Sequence, residues 1–307
     1  MDYECAIIGA GPAGYAASIY AIRAGVHAVL FDTHAGGGLA SIAPNIENYP
    51  GFRSIPGADL LEKMKDHALQ YVDFHEYESI IRVEKTENGF LLKSNEENQY
   101  EVASIIIATG TNHRKLEAEG VSLLEGKGIS YCATCDGFFF KDKTVAVVGG
   151  GNSALIESVY LKQIGCKTVY LIHRRDQLRA EDAYEHDAKK AGVEFMMNAI
   201  IEKVNGKQQV ESIDIKDINT DKIRTVPVDG VFISIGVIPQ NELAKQLGVE
   251  LDDQGYIKVD CQMRTSVAHV YAAGDITGGL RQIITAAAEG AIAGLISTEA
   301  VGKKYPY

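Results

Sequence analysis

The fold is decided by Val145-Ala-Val-Val-Gly-Gly-Gly-Asn-Ser-Ala154, an apolar run that leads directly into a glycine loop. A second copy of the pattern opens the chain, where Cys5-Ala-Ile-Ile8 runs into Gly9-Ala-Gly-Pro-Ala-Gly14. A strand, a glycine turn and a helix together favour a βαβ unit whose glycines admit a pyrophosphate at the helix N-terminus. The sequence therefore predicts two nucleotide folds in one chain.

The remaining apolar segments fit around these two folds. After the first loop come a helix to Ala24 and a strand at Ala28–Phe31, and after the second a helix over 153–164 and a strand ending at Ile172. Further strands are expected within 90–108 and 230–235, and near Ala272, followed by an Ala-rich helix over 282–297. The predicted class is α/β, with two Rossmann-like, three-layer (ββα) nucleotide-binding domains, the second inserted into a discontinuous first.

Composition restricts the functions. The chain has 307 residues and a formal net charge of -11, which disfavours nucleic acid as a partner because phosphate binding needs clustered Lys and Arg. No apolar run is expected to reach the length of a membrane span, so no membrane partner is predicted. The start, Met1-Asp2-Tyr3-Glu4, lacks a basic leader, and the expected location is the cytoplasm.

The two nucleotide folds differ in the residues at the end of their second strand. Asp32 lies 23 positions after Gly9, where a carboxylate can accept hydrogen bonds from ribose hydroxyls. The equivalent point of the second unit, 24 positions after Gly149, carries His173-Arg174-Arg175, with Arg179 beyond. Guanidinium groups suit a 2′-phosphate, so the sequence favours NADPH over NADH. The alternatives are a glycine turn without ligand and a solvated basic turn.

A cysteine pair, Cys132-Ala-Thr-Cys135, precedes the second loop and is followed by Asp136. A closed zinc site needs four ligands, and no second pair occurs at a suitable spacing, so no metal is expected. A thioredoxin-like domain would place the dithiol at a helix start directly after a strand. Here it precedes a different strand, which favours a redox dithiol beside a nucleotide site. The other cysteines, at 5, 166 and 261, are expected to fill apolar space.

Taken together, the motifs resemble the low-molecular-weight, bacterial and archaeal-type thioredoxin reductases of the pyridine nucleotide-disulfide oxidoreductase family. The resemblance covers nearly the whole chain, and its ordered motifs are Gly9 to Gly14, Glu47 to Gly51, Ala108 to Gly110, Cys132 to Gly137, Gly149 to Ala154, His173 to Arg179, and Gly274-Asp275 with Arg281-Gln282.

This resemblance implies a homodimer in which residues 1–114 and 242–307 bind FAD and residues 115–241 bind NADPH and carry the redox disulfide. The FAD contacts it implies, including the ribose carboxylate, are at Gly9, Gly11, Pro12, Ala13, Gly14, Asp32, Gly37, Asn48, Gly110, Asp275, Arg281, Gln282 and Ile283. Those for NADPH are at Gly151, Asn152, Ser153, His173, Arg174, Arg175, Arg179 and Ile235.

The activity it implies is NADPH-dependent reduction of thioredoxin or a thioredoxin-like protein. Cys135 is expected nearer the flavin, Cys132 to attack the partner, and Asp136 to act as general acid, unless its carboxylate only caps the next turn. Family members rotate the inserted domain, here about linkers near 113–117 and 236–241.

Several other functions stay open. One is a related flavin disulfide reductase that takes electrons from ferredoxin or a deazaflavin, or serves a glutaredoxin-like or peroxiredoxin-related acceptor. Arg174, Arg175 and Arg179 argue against a different donor, but the sequence does not identify the acceptor. A nucleotide sensor or a simple ferredoxin-NADP reductase would not need the cysteine pair.

Overall fold

The computed structural model describes residues 2–43 and 45–304, which form two compact units. One unit comprises Met1–Asn112 and Ile238–Tyr307, and the other is the intervening segment His113–Val237. The second unit is therefore an insertion in the first, and the α/β class is confirmed.

The first unit is built on a seven-stranded sheet. Its strands are β1 Tyr3–Ile8, β2 Ala28–Phe31, β3 Asp73–His75, β4 Ile80–Thr86, β5 Gly89–Ser94, β6 Gln99–Ile107 and β17 Val270–Ala272. They are arranged in the order β3-β2-β1-β6-β5-β4, and β17 also pairs with β6. Strands β1, β2, β3, β6 and β17 are parallel to their neighbours, whereas β4, β5 and β6 are joined antiparallel.

Helices cover this sheet: α1 Pro12–Arg23, α2 Gly57–Ala68, α7 Glu242–Leu247 and α8 Ile283–Ile296. Short 3-10 turns span Gly38–Ile42, Asp275–Thr277 and Ser297–Val301. The central strands are apolar because both faces are covered, one by a cluster with Ile7 and Leu30, the other by a cluster with Ile105 and Leu92. This layering brings the end of β1 and the start of α1 to one edge of the sheet.

Helix α8 lies closely against α1. A Cβ added to Gly290 would stand 2.0 Å from the carbonyl oxygen of Ala13, and one added to Gly294 would stand 2.5 Å from that of Ala17. By length and composition alone, Ile283–Val301 could cross a membrane, with 19 residues and a mean hydropathy of 1.3. The expectation that no run approaches that length was wrong, because Glu289 and Glu299 are the only charged residues of this segment.

The inserted unit contains a parallel sheet and an antiparallel meander. Its strands are β8 Ile129–Ser130, β9 Thr144–Gly149, β10 Thr168–Ile172, β11 Glu194–Met196, β12 Ala199–Asn205, β13 Ser212–Asp217, β14 Ile223–Pro227 and β15 Gly230–Ser234. The five-stranded parallel sheet has the order β11-β10-β9-β15-β8, and the meander has the order β12-β13-β14. Its helices are α3 Val121–Leu124, α4 Ala133–Asp136, α5 Asn152–Gln163 and α6 Asp182–Lys190, with a 3-10 turn at Gly137–Phe140.

One core of this unit lies between the sheet and α5 and α6, and includes Val147 and Leu155. The other lies between the sheet and the meander, and includes Val148 and Ile213. These three layers of helix, parallel sheet and meander match the predicted ββα arrangement. Two short strands, β7 Thr111–His113 and β16 Val237–Pro239, pair with each other where the chain enters and leaves the insertion.

Candidate active site

Some glycines of the first loop are packed tightly against the backbone, and one lies beside open space. A Cβ on Gly9, whose φ is +107°, would stand 2.3 Å from the carbonyl oxygen of Ala108, and one on Gly14 would stand 1.8 Å from that of Gly9. These positions need glycine to make the turn. A Cβ on Gly11 would meet nothing within 4 Å, and no side chain caps α1 at this residue. The loop thus leaves open space at a helix N-terminus, which fits a bound pyrophosphate.

Neighbouring segments close around this loop. Gly37 donates its N–H to the carbonyl of Ala10 at 2.8 Å. Asp32 accepts the N–H of Ala10 at 2.7 Å through one carboxylate oxygen and that of His34 at 2.8 Å through the other. Asp32 therefore holds the loop against the end of β2, a role that its spacing alone did not indicate.

The C-terminal part of the chain reaches the same loop through Gly274, where a Cβ would stand 2.9 Å from that of Ala13. Glu289 on α8 accepts the N–H of Gly274 at 2.8 Å and the hydroxyl of Thr277 at 3.1 Å, which fixes the turn carrying Asp275. Burial raises the pKa of Asp275, while the charge of Arg281 opposes that shift. Sequence reasoning missed Glu289, whose signal was an acid within an otherwise apolar helix.

Two of the remaining predicted flavin-side residues contact each other. Asn48 donates its side-chain N–H to the amide oxygen of Gln282 at 3.1 Å, and Gln282 also caps α8 together with Thr285. Ile283 begins that helix directly after Gln282, and Arg281, two positions before Ile283, has a φ of +47°. Gly110 has open space around its Cα, and the N–H of Gln240 donates to its carbonyl at 3.1 Å. The structure thus places Asn48 against the start of α8.

The glycines of the second loop divide in the same way as those of the first, into positions packed against protein and one position beside open space. A Cβ on Gly149 would stand 2.4 Å from the carbonyl oxygen of Ser234, and one on Gly150 would stand 2.2 Å from the ring of His173. A Cβ on Gly151 would meet nothing within 4 Å, and no side chain caps α5 there. Gly151 is therefore the counterpart of Gly11, and the space beside it suits a second phosphate group.

The basic residues lie beside this second loop. The N–H of Arg179 donates to the carbonyl of Gly150 at 2.7 Å, which ties the basic segment to the loop backbone. Arg174, Arg175 and Arg179 are all exposed. His173 is buried instead, and burial lowers its pKa, so it packs under the loop as a neutral ring.

The other predicted residues of this unit have mixed roles. Asn152 donates to the carboxylate of Glu181 at 2.9 Å and accepts the N–H of that residue at 3.0 Å, so its amide joins the starts of α5 and α6. Ser153 is exposed beside it, and Ile235 packs partly buried against the core under the meander. Of the three, Ser153 presents an exposed side chain next to the loop.

The cysteine pair forms a disulfide between Cys132 and Cys135, with the Cα atoms 5.3 Å apart. Cys132 is the N-cap residue of the single-turn helix α4, which begins at Ala133 and follows β8, so the expectation that this dithiol does not open a helix after a strand was wrong. The backbone N–H of Cys135 donates to the carbonyl of Cys132 at 3.2 Å. The other cysteines are free; Cys5 and Cys166 are buried as expected, but Cys261 is exposed, because it stands in a surface turn after Asp260 rather than in a strand.

Asp136 ends α4 beside the disulfide, and its carboxyl group is largely shielded from water. Ser130 donates its hydroxyl to Oδ2 at 2.6 Å, whereas Oδ1 is buried without a hydrogen-bond partner among residues 2–43 and 45–304. Burial raises the pKa of Asp136, although the hydrogen bond from Ser130 opposes this. A carboxyl group with a raised pKa beside a dithiol keeps its proton to higher pH than an ordinary aspartate and can transfer it.

The chain as a whole matches known proteins. The family model for the pyridine nucleotide-disulphide oxidoreductases matches residues 3–290. A thioredoxin reductase of Helicobacter pylori is 41% identical over 301 residues, which are 95% of this chain and 96% of that protein. A thioredoxin reductase of Treponema pallidum is 40% identical over 295 residues, covering 95% of each chain.

The fold agrees with these similarities. The crystal structure of thioredoxin reductase from Streptococcus pyogenes superimposes with a TM-score of 0.93 at 35% identity, over 98% of this chain and 99% of that one. The chain therefore belongs to the pyridine nucleotide-disulphide oxidoreductase family, within it to the thioredoxin reductases, and is a disulfide oxidoreductase that works with a flavin and a pyridine nucleotide.

Proposed function

We propose that this enzyme is an NADPH-dependent thioredoxin reductase with FAD as its flavin. In the overall reaction one NADPH and one proton reduce one disulfide of thioredoxin to two thiols and leave NADP⁺. The single observation that carries the proposal is the Cys132–Cys135 disulfide in the same compact unit as the second glycine loop. The similarity to thioredoxin reductases supports the choice of acceptor.

FAD is assigned to the discontinuous domain, residues 1–114 and 242–307. Gly9, Gly11, Pro12, Ala13 and Gly14 would hold its pyrophosphate, because the space beside Gly11 and the uncapped start of α1 suit an anion. Further FAD contacts are assigned to Asp32, Gly37, Asn48, Gly110, Asp275, Arg281, Gln282 and Ile283. The bound flavin supplies two-electron transfer between a nicotinamide and a disulfide.

NADPH is assigned to the inserted domain, residues 115–241, with its pyrophosphate beside Gly151 and Ser153. Arg174, Arg175 and Arg179 would bind the 2′-phosphate, since three exposed guanidinium groups follow the end of β10 and one is tied to the loop by its backbone. Asn152, His173 and Ile235 would pack behind these groups and shape the NADPH site.

The dithiol performs the exchange with the protein substrate. Cys132 attacks the disulfide of thioredoxin and forms a mixed disulfide, and Cys135 then attacks the sulfur of Cys132, which closes the internal disulfide and releases reduced thioredoxin. Asp136 supplies protons to departing thiolates, because burial holds its pKa above the ordinary value. Two thiols of the enzyme are oxidised for each disulfide reduced.

The test combines the FAD-loaded enzyme, NADPH and an oxidised bacterial thioredoxin, with free thiols as the readout. Thiols should form with NADPH and far more slowly with NADH. In a Cys135→Ser variant, thiol production should cease while reduction of ferricyanide by NADPH continues, since that reaction does not need the dithiol. A fully FAD-loaded wild-type enzyme that yields no thiols would refute the proposal and favour another donor or acceptor.

A homodimer is also proposed. Ile284 and Ile292 on α8 remain 43% and 36% exposed on one side of the helix, with Ala288 between them, which is more apolar surface than a helix facing water needs. A second copy of this chain would cover it. Light scattering should give a dimer for the wild type and a monomer for Ile284→Glu/Ile292→Glu, whereas Ile223→Glu in the meander should leave the dimer intact.

The cytoplasm is the proposed location. A dithiol that must be reduced in each cycle by NADPH works where that donor is made, and the cysteines outside the pair are free thiols rather than a disulfide framework.

A further inference from the structure

We propose that Ser130 is a positioning residue for thiol–disulfide exchange, which orients Asp136 so that the free oxygen of its carboxyl group serves the sulfurs of Cys132 and Cys135. The inference rests on the proposed function, since it needs the dithiol to exchange with an external disulfide. It concerns a hydroxyl on β8 that acts through Asp136 rather than on the substrate itself.

The geometry ties one hydroxyl to both ends of the redox helix. The Ser130 hydroxyl donates to Oδ2 of Asp136 at 2.6 Å and accepts the backbone N–H of Cys132 at 3.1 Å. Cys132 precedes α4 and Asp136 ends it, so this serine fixes the acid and the attacking cysteine relative to each other. Because one hydroxyl at the end of a strand contacts both residues, it restricts the positions of the Asp136 carboxyl group and of Cys132.

The hydrogen bond also selects which carboxyl oxygen is available. Ser130 itself is 6% exposed, so its hydroxyl does not exchange freely between Asp136 and bulk water. With Oδ2 occupied, a proton on Asp136 resides on Oδ1, which has no partner in the described part of the chain. That proton can be transferred without first breaking a hydrogen bond.

The step that needs this proton is the release of the partner's thiolate. The Cys132 thiolate forms a bond to one sulfur of the disulfide, the other sulfur departs with the electron pair, and Asp136 protonates it. Cys135 then closes the internal disulfide and releases the second thiol. Alkyl thiolates are poor leaving groups and gain from protonation, whereas aromatic thiolates of low pKa do not need it.

The titratable groups on the elements around α4 are few. Strand β8 and the turn Gly137–Phe140 carry none, and Tyr131 donates to Glu125 at 2.8 Å. Helix α5, which packs against α4, carries Glu157, Tyr160 and Lys162. Burial and the hydrogen bond from Ser130 are the influences on the pKa of Asp136, so removal of the hydroxyl should raise that pKa further.

The experiment compares two disulfides as substrates of dithiothreitol-reduced, FAD-loaded enzyme freed of excess reductant. Hydroxyethyl disulfide releases an alkyl thiol, and 5,5′-dithiobis(2-nitrobenzoate) releases an aromatic one. Ser130→Ala should slow exchange with the alkyl disulfide about tenfold and leave the aromatic disulfide within about twofold. The decline in the rate of the alkyl reaction on the alkaline side should move to higher pH, because Asp136 with a further raised pKa keeps its proton to higher pH.

Three comparisons distinguish a positioning role of Ser130 from a general loss of structure in the variant. Ser130→Thr keeps a hydroxyl and should restore the wild-type pH profile. Ser158→Ala removes another buried hydroxyl from the same unit, one that donates to the carbonyl of Ala154 at 2.7 Å, and should change neither reaction. In an Asp136→Asn background, Ser130→Ala should have no further effect on the alkyl reaction, since the two residues act as one unit.

The proposal would be overturned if Ser130→Ala slowed exchange with both disulfides equally, or if it left the pH dependence of the alkyl reaction unchanged. Ser130 would then have only a structural role. A wild-type enzyme that exchanges with hydroxyethyl disulfide but not with thioredoxin would refute the proposed substrate without touching this inference. The two failures are therefore distinguishable.

Discussion

The ring of His173 occupies the space in which a side chain on Gly150 would stand, with 2.2 Å between the ring and a Cβ built on that glycine. The buried imidazole accordingly forms the floor of the second glycine loop, and its Nε2 lies 3.1 Å from the carbonyl oxygen of Gln177. The contact explains why this loop has three consecutive glycines: the first two meet the protein, and the third, Gly151, faces open space.

Gly150→Ala should therefore destabilise the fold, and Gly151→Ala should not. The first substitution forces the His173 ring out of a packed position, at a cost of about 1–3 kcal/mol in the free energy of unfolding. The second adds a methyl group only where the phosphate would lie, so the KM for NADPH should rise with stability unchanged. Urea unfolding and steady-state kinetics check the pair. Equal stability of the two variants would contradict this division of roles.

Removal of positive charge from the basic segment should change the choice of nucleotide. Arg174→Ala and Arg175→Ala should each raise the KM for NADPH about tenfold or more and leave that for NADH nearly unchanged, because a charge-assisted hydrogen bond to the 2′-phosphate is lost. Arg224→Ala removes an exposed guanidinium from the meander of the same unit and serves as the control. An equal rise in the KM for both nucleotides would show that these arginines do not bind the 2′-phosphate.

Glu289→Leu should weaken the flavin site through the turn at Gly274. The substitution leaves the N–H of Gly274 and the hydroxyl of Thr277 without their shared acceptor, at a cost of about 1–3 kcal/mol. FAD should then dissociate more readily, as measured by flavin retention during gel filtration. Glu289→Gln retains an acceptor and should fall between the wild type and Glu289→Leu. Full FAD retention by Glu289→Leu would count against a role for the turn.

Acid should destabilise the chain through Glu78. Burial alone would raise the pKa of this carboxyl group, but hydrogen bonds from Ser94, Asn98, His75 and Tyr100 outweigh it and lower the pKa to about 2. A depressed pKa stabilises the fold above the unfolded value of about 4.5 and loses that contribution as pH falls toward 2. The loss should be about 1–3 kcal/mol.

The measurement for this prediction is urea unfolding of the wild type and of Glu78→Gln between pH 6 and pH 3. Their difference in stability should shrink on acidification, since the carboxylate of the unfolded wild type takes up a proton below about pH 4.5, whereas the folded one, with its pKa of about 2, stays charged. A difference that stays constant over this range would mean that the hydrogen bonds to Glu78 do not favour its charged form.

Sequence patterns located the elements closely where they were periodic and bounded by glycine. The strand predicted at Ala28–Phe31 has those bounds, and the helices after both loops begin and end within a few residues of expectation. The disulfide partners were also evident, because they lie three positions apart and the sequence holds no other Cys-x-x-Cys pair. Such features are local, so a short window contains the information.

Long-range hydrogen bonds were not predictable in the same way. Glu289 reaches Gly274 and Asn152 reaches Glu181 only because the folded chain brings them together. Asp32 stands at the position of a ribose ligand, yet both of its oxygens accept backbone N–H groups of its own domain. Spacing indicates which residue type stands at a site but not which competing partner it binds.

The sequence by itself determined the two nucleotide folds and the redox pair, because turn chemistry and strand periodicity act over neighbouring residues. The order of these segments along the chain also indicated their nesting. Only the tertiary structure decided which glycines of the two loops face protein and which face open space, and which oxygen of Asp136 has no hydrogen-bond partner in the described part of the chain. The physical reason is that close packing and hydrogen-bond competition depend on atoms from distant segments, whose positions are fixed only when the whole core has formed.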